Sequence, residues 1–188
     1  MHALSGWFAA GVADGSADTV LGRMLGAAID RSSMQRAANT SGEVGVGVVN
    51  GTLACEGRLW SAIVGRPRWL DADLASLAER SGHGTALLEA YRRLGTDLLS
   101  QLLGSFSIAV LDPANRRLLL AVDRMGIETL CYAPLEPGGL IFGSTTEQVK
   151  AHPRVGATVS EQSIFNYLYC GICPSPGSIY REQRKLLQ

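Results

Sequence analysis

The most reactive side chains of the sequence are its four cysteines, and their spacing decides which chemistry they could perform. Cys170 and Cys173 form a Cys-x-x-Cys pair, which is typical of a redox pair or of half a zinc site. This pair follows a predicted helix, whereas reactive pairs sit where a helix begins. A structural zinc site needs four ligands, and four further residues form no second pair: Cys55, Cys131, His83 and His152. We therefore interpret the cysteines as structural and predict no metal site.

Neither the histidines nor the glycine-rich segment forms an active site by spacing alone. His2, His83 and His152 are scattered, and none stands at helical spacing from a carboxylate. The segment Gly42–Gly51 lacks the lysine and the following helix of a phosphate-binding loop, which favours turn and strand glycines. Asp123, at the end of a predicted strand, indicates either an ion pair with the following arginine or support of a turn. Composition and spacing by themselves indicate no active site.

The elements that would position these residues begin with a strand, a helix and a hairpin. Ala3–Phe8 predicts a short buried strand. Ala17–Ile29 predicts a helix with apolar residues on one face and a cap at Ser16 or Asp18. The strand predicted over Val44–Val49 is followed by Asn50-Gly51, a strong signal for a two-residue hairpin turn into a strand over Thr52–Glu56.

The clearest pattern lies later in the chain, where Ser105–Val122 predicts a hairpin around a type I turn. A second hairpin is predicted from Thr129–Ala133 to Leu140–Ser144. One further strand and four helices are predicted over Leu59–Val64, Asp71–Arg80, Thr85–Leu94, Thr146–Lys150 and Ser160–Tyr169. Consecutive hairpins favour antiparallel sheets covered by helices, which is the α+β class.

The composition is that of a soluble globular protein. The 188 residues are 46% hydrophobic and 18% charged, and their formal net charge is zero, which argues against disorder and against nucleic acid as a partner. Gln162–Tyr180 carries no charge, but its polar residues and prolines make a membrane span unfavourable. The sequence shows no secretion signal, and its few cysteines do not form a disulfide framework. We expect a cytoplasmic protein.

Five segments together carry a family resemblance that none of them carries alone. In chain order they are MHALSGWF (Met1–Phe8), GSFSIAVLD (Gly104–Asp112), DRMGIETLCYA (Asp123–Ala133), LIFGSTTEQVKAHP (Leu140–Pro153) and YLYCGICPSPGSIYREQRKLL (Tyr167–Leu187). With these segments the chain resembles the N-terminal glutaminase domain of the asparagine synthetase family, a class II glutamine amidotransferase. The resemblance implies the N-terminal-nucleophile hydrolase fold, a four-layer αββα sandwich of two antiparallel sheets covered by helices.

The resemblance also implies a mechanism. In the family, a cysteine directly follows the initiator methionine, whose removal exposes an amine that acts as the base. The thiolate then attacks the side-chain amide of glutamine. An Asn-Gly pair supplies the oxyanion donors. An arginine in a His-x-Arg-Leu segment and an aspartate in a Ser-Asp-x-Glu segment bind the backbone ends of the glutamine.

This sequence departs from the family pattern at those positions. His2 stands in place of the cysteine, and so bulky a second residue is expected to hinder removal of Met1. Gly65, after Val64, falls on the glycine of the Asn-Gly pair, which leaves a backbone donor but no side-chain donor. Gly84 falls at the aspartate. Arg31 falls on an arginine of another family loop and is a lone candidate for substrate binding. We therefore expect no catalytic residue.

The resemblance implies a glutaminase-like domain without glutaminase chemistry. It would act as the scaffold for an ATP-dependent amide-forming domain of the asparagine synthetase, β-lactam synthetase or lasso-peptide cyclase type. We expect no cofactor in this chain; ATP and Mg²⁺ belong to the synthetase domain, which is C-terminal or separate. Residues 1–170 are expected to form the glutaminase-like domain and 171–188 the exit segment towards that partner.

Two alternatives stay open at this point. The chain could be an active amidotransferase with an unorthodox site at His2, or a stand-alone interaction module. A domain that lacks its partner should expose an apolar patch, which we expect within Gly171–Leu187 and which could also support a homodimer.

Overall fold

A computed structural model describes residues 2–10, 16–26, 33–39 and 41–187 of the chain. The described strands are β1 (Ala3–Phe8), β2 (Met34–Ala38), β3 (Val44–Val49), β4 (Gly51–Glu56), β5 (Leu59–Trp69), β6 (Leu102–Asp112), β7 (Arg117–Val122), β8 (Cys131–Leu135), β9 (Gly139–Gly143) and β10 (Arg184–Lys185). The described α-helices are α1 (Ala17–Leu25), α2 (Ala72–Ser81), α3 (His83–Leu94), α4 (Thr146–Lys150) and α5 (Glu161–Cys170), and a 3₁₀ helix spans Gly95–Gln101.

The strands form two sheets in which every neighbouring pair is antiparallel. The first sheet has six strands in the order β10-β8-β9-β1-β3-β2, and the second has four in the order β4-β5-β6-β7. Helices α1 and α4 pack on the outer face of the first sheet, and α2 and α3 pack on the outer face of the second. The predicted four-layer α+β sandwich of two antiparallel sheets is confirmed.

Apolar cores lie on both faces of each sheet and hold the four layers together. The core between the sheets includes Leu4, Val46, Trp60, Ala109 and Phe142. The core under α2 and α3 includes Ile63, Leu74, Leu87, Leu98 and Ile108. The core under α1 and α4 includes Trp7, Leu21, Met24, Ile141 and Val149.

The Val-Gly-Val-Gly-Val sequence of β3 packs on both faces of the first sheet. Its valines point into the core between the sheets, since alternate residues of a strand face opposite sides. Its glycines lie on the outer face, where a Cβ at Gly45 would lie 2.5 Å from the Trp7 ring and a Cβ at Gly47 would lie 2.6 Å from Leu25. The glycines therefore let Trp7 and α1 pack closely on the sheet.

Most of the predicted elements are confirmed, including both later hairpins and the Ser16 cap of α1. The predicted hairpin at Asn50-Gly51 is wrong, because β3 and β4 belong to different sheets. Val49 pairs with Ala3, while Gly51 pairs with Val64, so the turn carries the chain from one sheet to the other. Helix α1 ends at Leu25 with Gly26 as its C-cap, and residues 27–29 of the predicted helix lie outside the described residues.

The C-terminal segment packs back onto the first sheet. Strand β10 pairs with β8, and the Leu186 amide donates to the Leu130 carbonyl at 2.8 Å. The exposed apolar side chains instead concentrate on α5 and the residues just after it, one element earlier than expected. Among the described residues, the structure contains no helix with the length and apolar character needed to span a membrane.

Candidate functional site

The end of the sandwich at which β1 begins holds His2, the residue directly before that strand. Ala3, the first residue of β1, pairs with Val49 at the end of β3, and Gly51 at the start of β4 pairs with Val64 of β5. The two-residue step from Val49 to Gly51 therefore places the start of β1 beside the middle of β5. We call this end of the sandwich the β1 end.

His2 is held at the β1 end by a carboxylate from a distant part of the sequence. Its Nδ1 donates to Oε1 of Glu128 at 2.9 Å. The His2 side chain is 32% exposed and that of Glu128 is 17% exposed. The pair is therefore half-buried, and the Glu128 contact orients the imidazole ring.

Glu128 reaches His2 because the Asp123 carboxylate fixes the turn that ends at Glu128. The buried Asp123 carboxylate accepts four backbone N–H groups, from Phe106 at 3.4 Å, Met125 at 3.2 Å, Ile127 at 3.0 Å and Glu128 at 2.9 Å. Burial alone would raise the pKa of Asp123, but these donors stabilise the anion and lower it. The interpretation of Asp123 as support of a turn is confirmed.

Ser144 fixes the first residues of β1 from the other side. Its hydroxyl accepts the Leu4 amide at 2.9 Å, and its own amide donates to the Leu4 carbonyl at 2.8 Å. The Thr129 hydroxyl donates to the Ser144 carbonyl at 2.9 Å. The start of β1 is thus held in place by Ser144 and by the segment that carries Glu128.

Gly65 lies within β5, opposite Phe106 of β6. Its φ is +102°, and a Cβ there would lie 2.4 Å from the Ser105 carbonyl oxygen. Only glycine fits this conformation and this close approach of two backbones. The glycine is therefore required here by the packing of β5 on β6, and the side-chain donor that the resemblance leads us to expect is missing from the preceding residue, the buried Val64.

Gly84 lies in the first turn of α3, buried against β4. Its amide donates to the Thr52 hydroxyl at 2.8 Å, and its carbonyl accepts the Ser61 hydroxyl at 2.7 Å. A Cβ on Gly84 would lie 3.0 Å from the amide nitrogen of Ala54. Helix α3 therefore packs closely on β4, and a side chain at Gly84 would require the neighbouring backbone to shift by a few tenths of an ångström.

The remaining singled-out residues do not join His2. Arg31 lies outside the described residues. Cys131 is buried and its pKa is raised by burial, whereas Cys170 is exposed at the end of α5. His83 accepts the Trp69 indole N–H at 3.1 Å. No cluster of three or more metal-ligating side chains occurs in the parts of the chain that the structure describes.

Sequence reasoning missed Glu128 and Ser144. Each contacts the start of β1 across more than a hundred residues, and Ser144 was assigned only to a strand end. The turn that positions Glu128 did have a sequence signal, which is Asp123 at a strand end with Gly126 three residues later. An aspartate in this position is typical of a side chain that caps a turn.

Comparisons with known proteins agree with this architecture. A family model described as "Glutamine amidotransferase domain" matches residues 73–188, which include Gly84, Asp123, Glu128 and Ser144. Over 100 residues, the chain is 30% identical to glutamine-hydrolyzing asparagine synthetase 3 of Bacillus subtilis, an alignment that covers 53% of this chain and 16% of the relative. Over 107 residues, it is 28% identical to putative glutamine-hydrolyzing asparagine synthetases of Mycobacterium bovis and Mycobacterium tuberculosis, again with 16% of each relative covered.

These alignments span only a small part of each relative, while the family model covers more than half of this chain. The matched residues include the Asp123 turn, β8, β9 and the segment after α5. The two antiparallel sheets with their helical layers agree with the same assignment. The chain therefore belongs to the glutamine amidotransferase domain family and is of the asparagine synthetase type.

Proposed function

We propose that this domain does not hydrolyse glutamine and that it serves as the structural partner of an ATP-dependent amide-forming domain. The observation that carries the proposal is the residue directly before β1, where the family places its cysteine. This residue is His2, and its Nδ1 is engaged by Glu128 at 2.9 Å.

An imidazole at this position is a poor replacement for a thiolate. It can be acylated, but as a nucleophile it needs its own base and donors for the oxyanion. Loss of the thiolate costs several orders of magnitude in rate. Loss of one oxyanion donor raises the barrier by about 3 kcal/mol. Together these losses predict that the site does not hydrolyse glutamine.

The two other family positions support the same proposal. Val64 stands in place of the asparagine of the Asn-Gly pair, and its buried apolar side chain contributes no donor. Gly84 contributes no carboxylate for the amino end of a glutamine, and α3 packs closely on β4 at this position. A glutamine at the β1 end would therefore leave its polar ends unpaired, which weakens binding.

The surface of α5 supports the proposed partner. Phe165, Leu168 and Tyr169 follow the i, i+3, i+4 spacing of one face of α5, and Ile172 lies just after its C-cap; the four are 61%, 79%, 82% and 61% exposed. We call these four residues the α5 stripe. The rings of Phe165 and Tyr169 stack with centroids 6.0 Å apart. An exposed apolar surface of this kind marks a protein interface.

The occupant of the α5 stripe that we propose is the synthetase domain. The alignments leave most of each asparagine synthetase relative unmatched. ATP and Mg²⁺ would bind in that domain, which would activate a carboxylate for attack by an amine or by ammonia. The present chain would act as a scaffold that packs against that domain.

The proposal is tested with an electrophilic analogue of glutamine, in which a chloroketone replaces the side-chain amide. Such an analogue alkylates a nucleophile that lies beside a bound glutamine. We expect the intact mass of the chain to stay unchanged, while the Bacillus subtilis relative, treated in parallel, gains one adduct.

One observation favours an alternative, an active glutaminase that uses His2. A carboxylate that holds one imidazole nitrogen leaves the other free to act as base or nucleophile, as in catalytic triads. A single adduct that forms on the wild-type chain and is absent from His2→Ala would support this alternative and contradict the proposal.

A further inference from the structure

A groove with a volume of about 470 Å³ opens beside the turn that carries Glu128 to His2. It lies between the end of β5, the start of β6 and the turn that follows β7. Its walls include Arg66, Leu102, Leu103, Phe106, Met125 and Ile127. The size is that of pockets that bind small molecules.

The groove has an apolar wall that is fixed and open to solvent. Met125 is 77% exposed and Ile127 is 67% exposed, although both belong to the turn that Asp123 holds through their backbone amides. A rigid turn that presents two large apolar side chains to water gains free energy when a ligand covers them. Leu103 and Phe106 continue this apolar surface towards the sheet.

The charges around the groove favour an anion at one end. Two arginines, Arg66 and Arg124, line the groove. Arg66 is exposed and forms no ion pair or side-chain hydrogen bond with the described residues, whereas Arg124 is already engaged by the protein. The Asp123 carboxylate also lies at the groove, but it is 2% exposed and accepts four backbone N–H groups. The negative charge is therefore already stabilised by the protein, whereas the Arg66 guanidinium is available to a ligand.

From this arrangement we infer that the groove binds an amphipathic carboxylate, with its apolar chain against Met125 and Ile127 and its carboxylate on Arg66. A guanidinium recognises a carboxylate through paired N–H donors. The inference goes beyond the proposed function and is independent of it, because it requires neither glutamine hydrolysis nor its absence. The same chemistry occurs in a medium-chain acyl carboxylate and in the C-terminus of an apolar peptide.

The test follows the methyl resonance of Met125 by NMR during titration of the 188-residue chain. The probes are decanoate, N-acetyl-leucyl-leucine and, as a probe without charge, decanol, all below their aggregation limits. We expect saturable shifts with at least one of the two carboxylates, and an affinity on the order of tenfold higher for decanoate than for decanol. The tighter of the two carboxylates identifies the source of the ligand.

Three variants decide where the probe binds. Arg66→Met removes the charge but leaves a long side chain. Because the pairing between Arg66 and the carboxylate is lost, decanoate and decanol should then bind with about equal affinity. Arg68→Met removes an exposed arginine of the same strand that does not line the groove, and Leu168→Ser interrupts the α5 stripe; neither should change the affinity.

Three results would overturn the inference. The first is a lack of saturable shifts at Met125 with both carboxylates. The second is an unchanged preference for the carboxylate in Arg66→Met, or an equal loss of it in Arg68→Met. The third is loss of decanoate binding in Leu168→Ser, which would place the probe on α5.

Discussion

His152 lies completely buried just after α4, with its ring against the edge of Trp7 at a centroid distance of 5.2 Å. Its Nδ1 accepts the Arg154 amide at 3.3 Å, and its buried Nε2 has no partner among the described residues. Burial lowers the pKa of His152 to about 4, and the nearby Arg154 charge acts in the same direction. The folded protein therefore holds this imidazole neutral.

We predict that His152 makes the free energy of unfolding fall as the pH is lowered. The unfolded chain takes up the proton near pH 6.5, the ordinary pKa of histidine, while the folded chain resists it. The stabilisation is complete above pH 6.5 and is lost as the pH falls towards 4, by about 2 kcal/mol at pH 5. Urea unfolding of wild type and His152→Asn at pH 7.5 and pH 5 measures the difference.

The variant should keep only the smaller pH dependence that other groups supply. His83 is one of them, since burial also lowers its pKa. If His152→Asn lost as much stability between the two pH values as wild type does, the buried neutral imidazole would not be the cause.

At this scale the sequence identified His2 but not its partner. The contact between His2 and Glu128 joins residues 126 positions apart in the chain. It depends on the turn that the Asp123 carboxylate organises, and no local pattern encodes where such a turn ends in space. Gly84 shows the same limit, because its close approach to Ala54 is a property of packing.

At the scale of the elements, β1 is the strand on which the first sheet depends. It lies between β9 and β3, and Gly6 pairs with Val46 of β3 and with Phe142 of β9. A Cβ on Gly6 would lie 2.4 Å from the Gly45 carbonyl oxygen and 2.7 Å from the Phe142 ring. Because the first contact is with backbone, a change of rotamer cannot relieve it.

We predict that Gly6→Ala lowers the free energy of unfolding by about 3 kcal/mol, the upper range for an overpacked core. Gly57→Ala is the matched control, since Gly57 has a φ of +63° but nothing within 4 Å of an added Cβ. It should cost about 1 kcal/mol, from backbone strain alone. Equal losses for the two variants in urea unfolding would show that close packing at Gly6 is not limiting.

Elements with a regular apolar pattern were predicted well, and those defined by their neighbours were not. The hairpin of β6 and β7 follows from its alternation and its turn. The step at Asn50-Gly51 does not, because a two-residue turn serves equally to return within a sheet and to cross to another. Strand β2 carries polar and small residues at the edge of its sheet, so it has no apolar pattern to detect.

At the scale of the whole molecule, the α5 stripe is an exposed apolar surface that is separate from the Met125–Ile127 turn. Its four apolar side chains are exposed on α5 and directly after it, whereas the C-terminal segment returns to β8. The expected patch is therefore formed mainly by α5, with Ile172 at its end. This location required the structure, because an uncharged amphipathic helix has the same sequence pattern whether its apolar face is buried or exposed.

We predict that the 188-residue chain self-associates through the α5 stripe when no partner covers it. The double variant Phe165→Ser/Leu168→Ser should shift sedimentation velocity profiles towards monomer without lowering the melting temperature, because these side chains pack on little else. Leu70→Ser is the control, as Leu70 is 58% exposed but stands apart from the stripe. A wild-type chain that stays monomeric at high concentration would contradict this prediction.

The most direct test of the account is the release of glutamate and ammonia from millimolar glutamine by the purified chain, with its natural amino terminus. Wild type and His2→Ala are compared at equal concentration, and the Bacillus subtilis relative serves as the positive control. We predict that both forms of this chain release no more glutamate than buffer does. Turnover by wild type that disappears in His2→Ala would contradict the account and make the His2–Glu128 pair a working catalytic site.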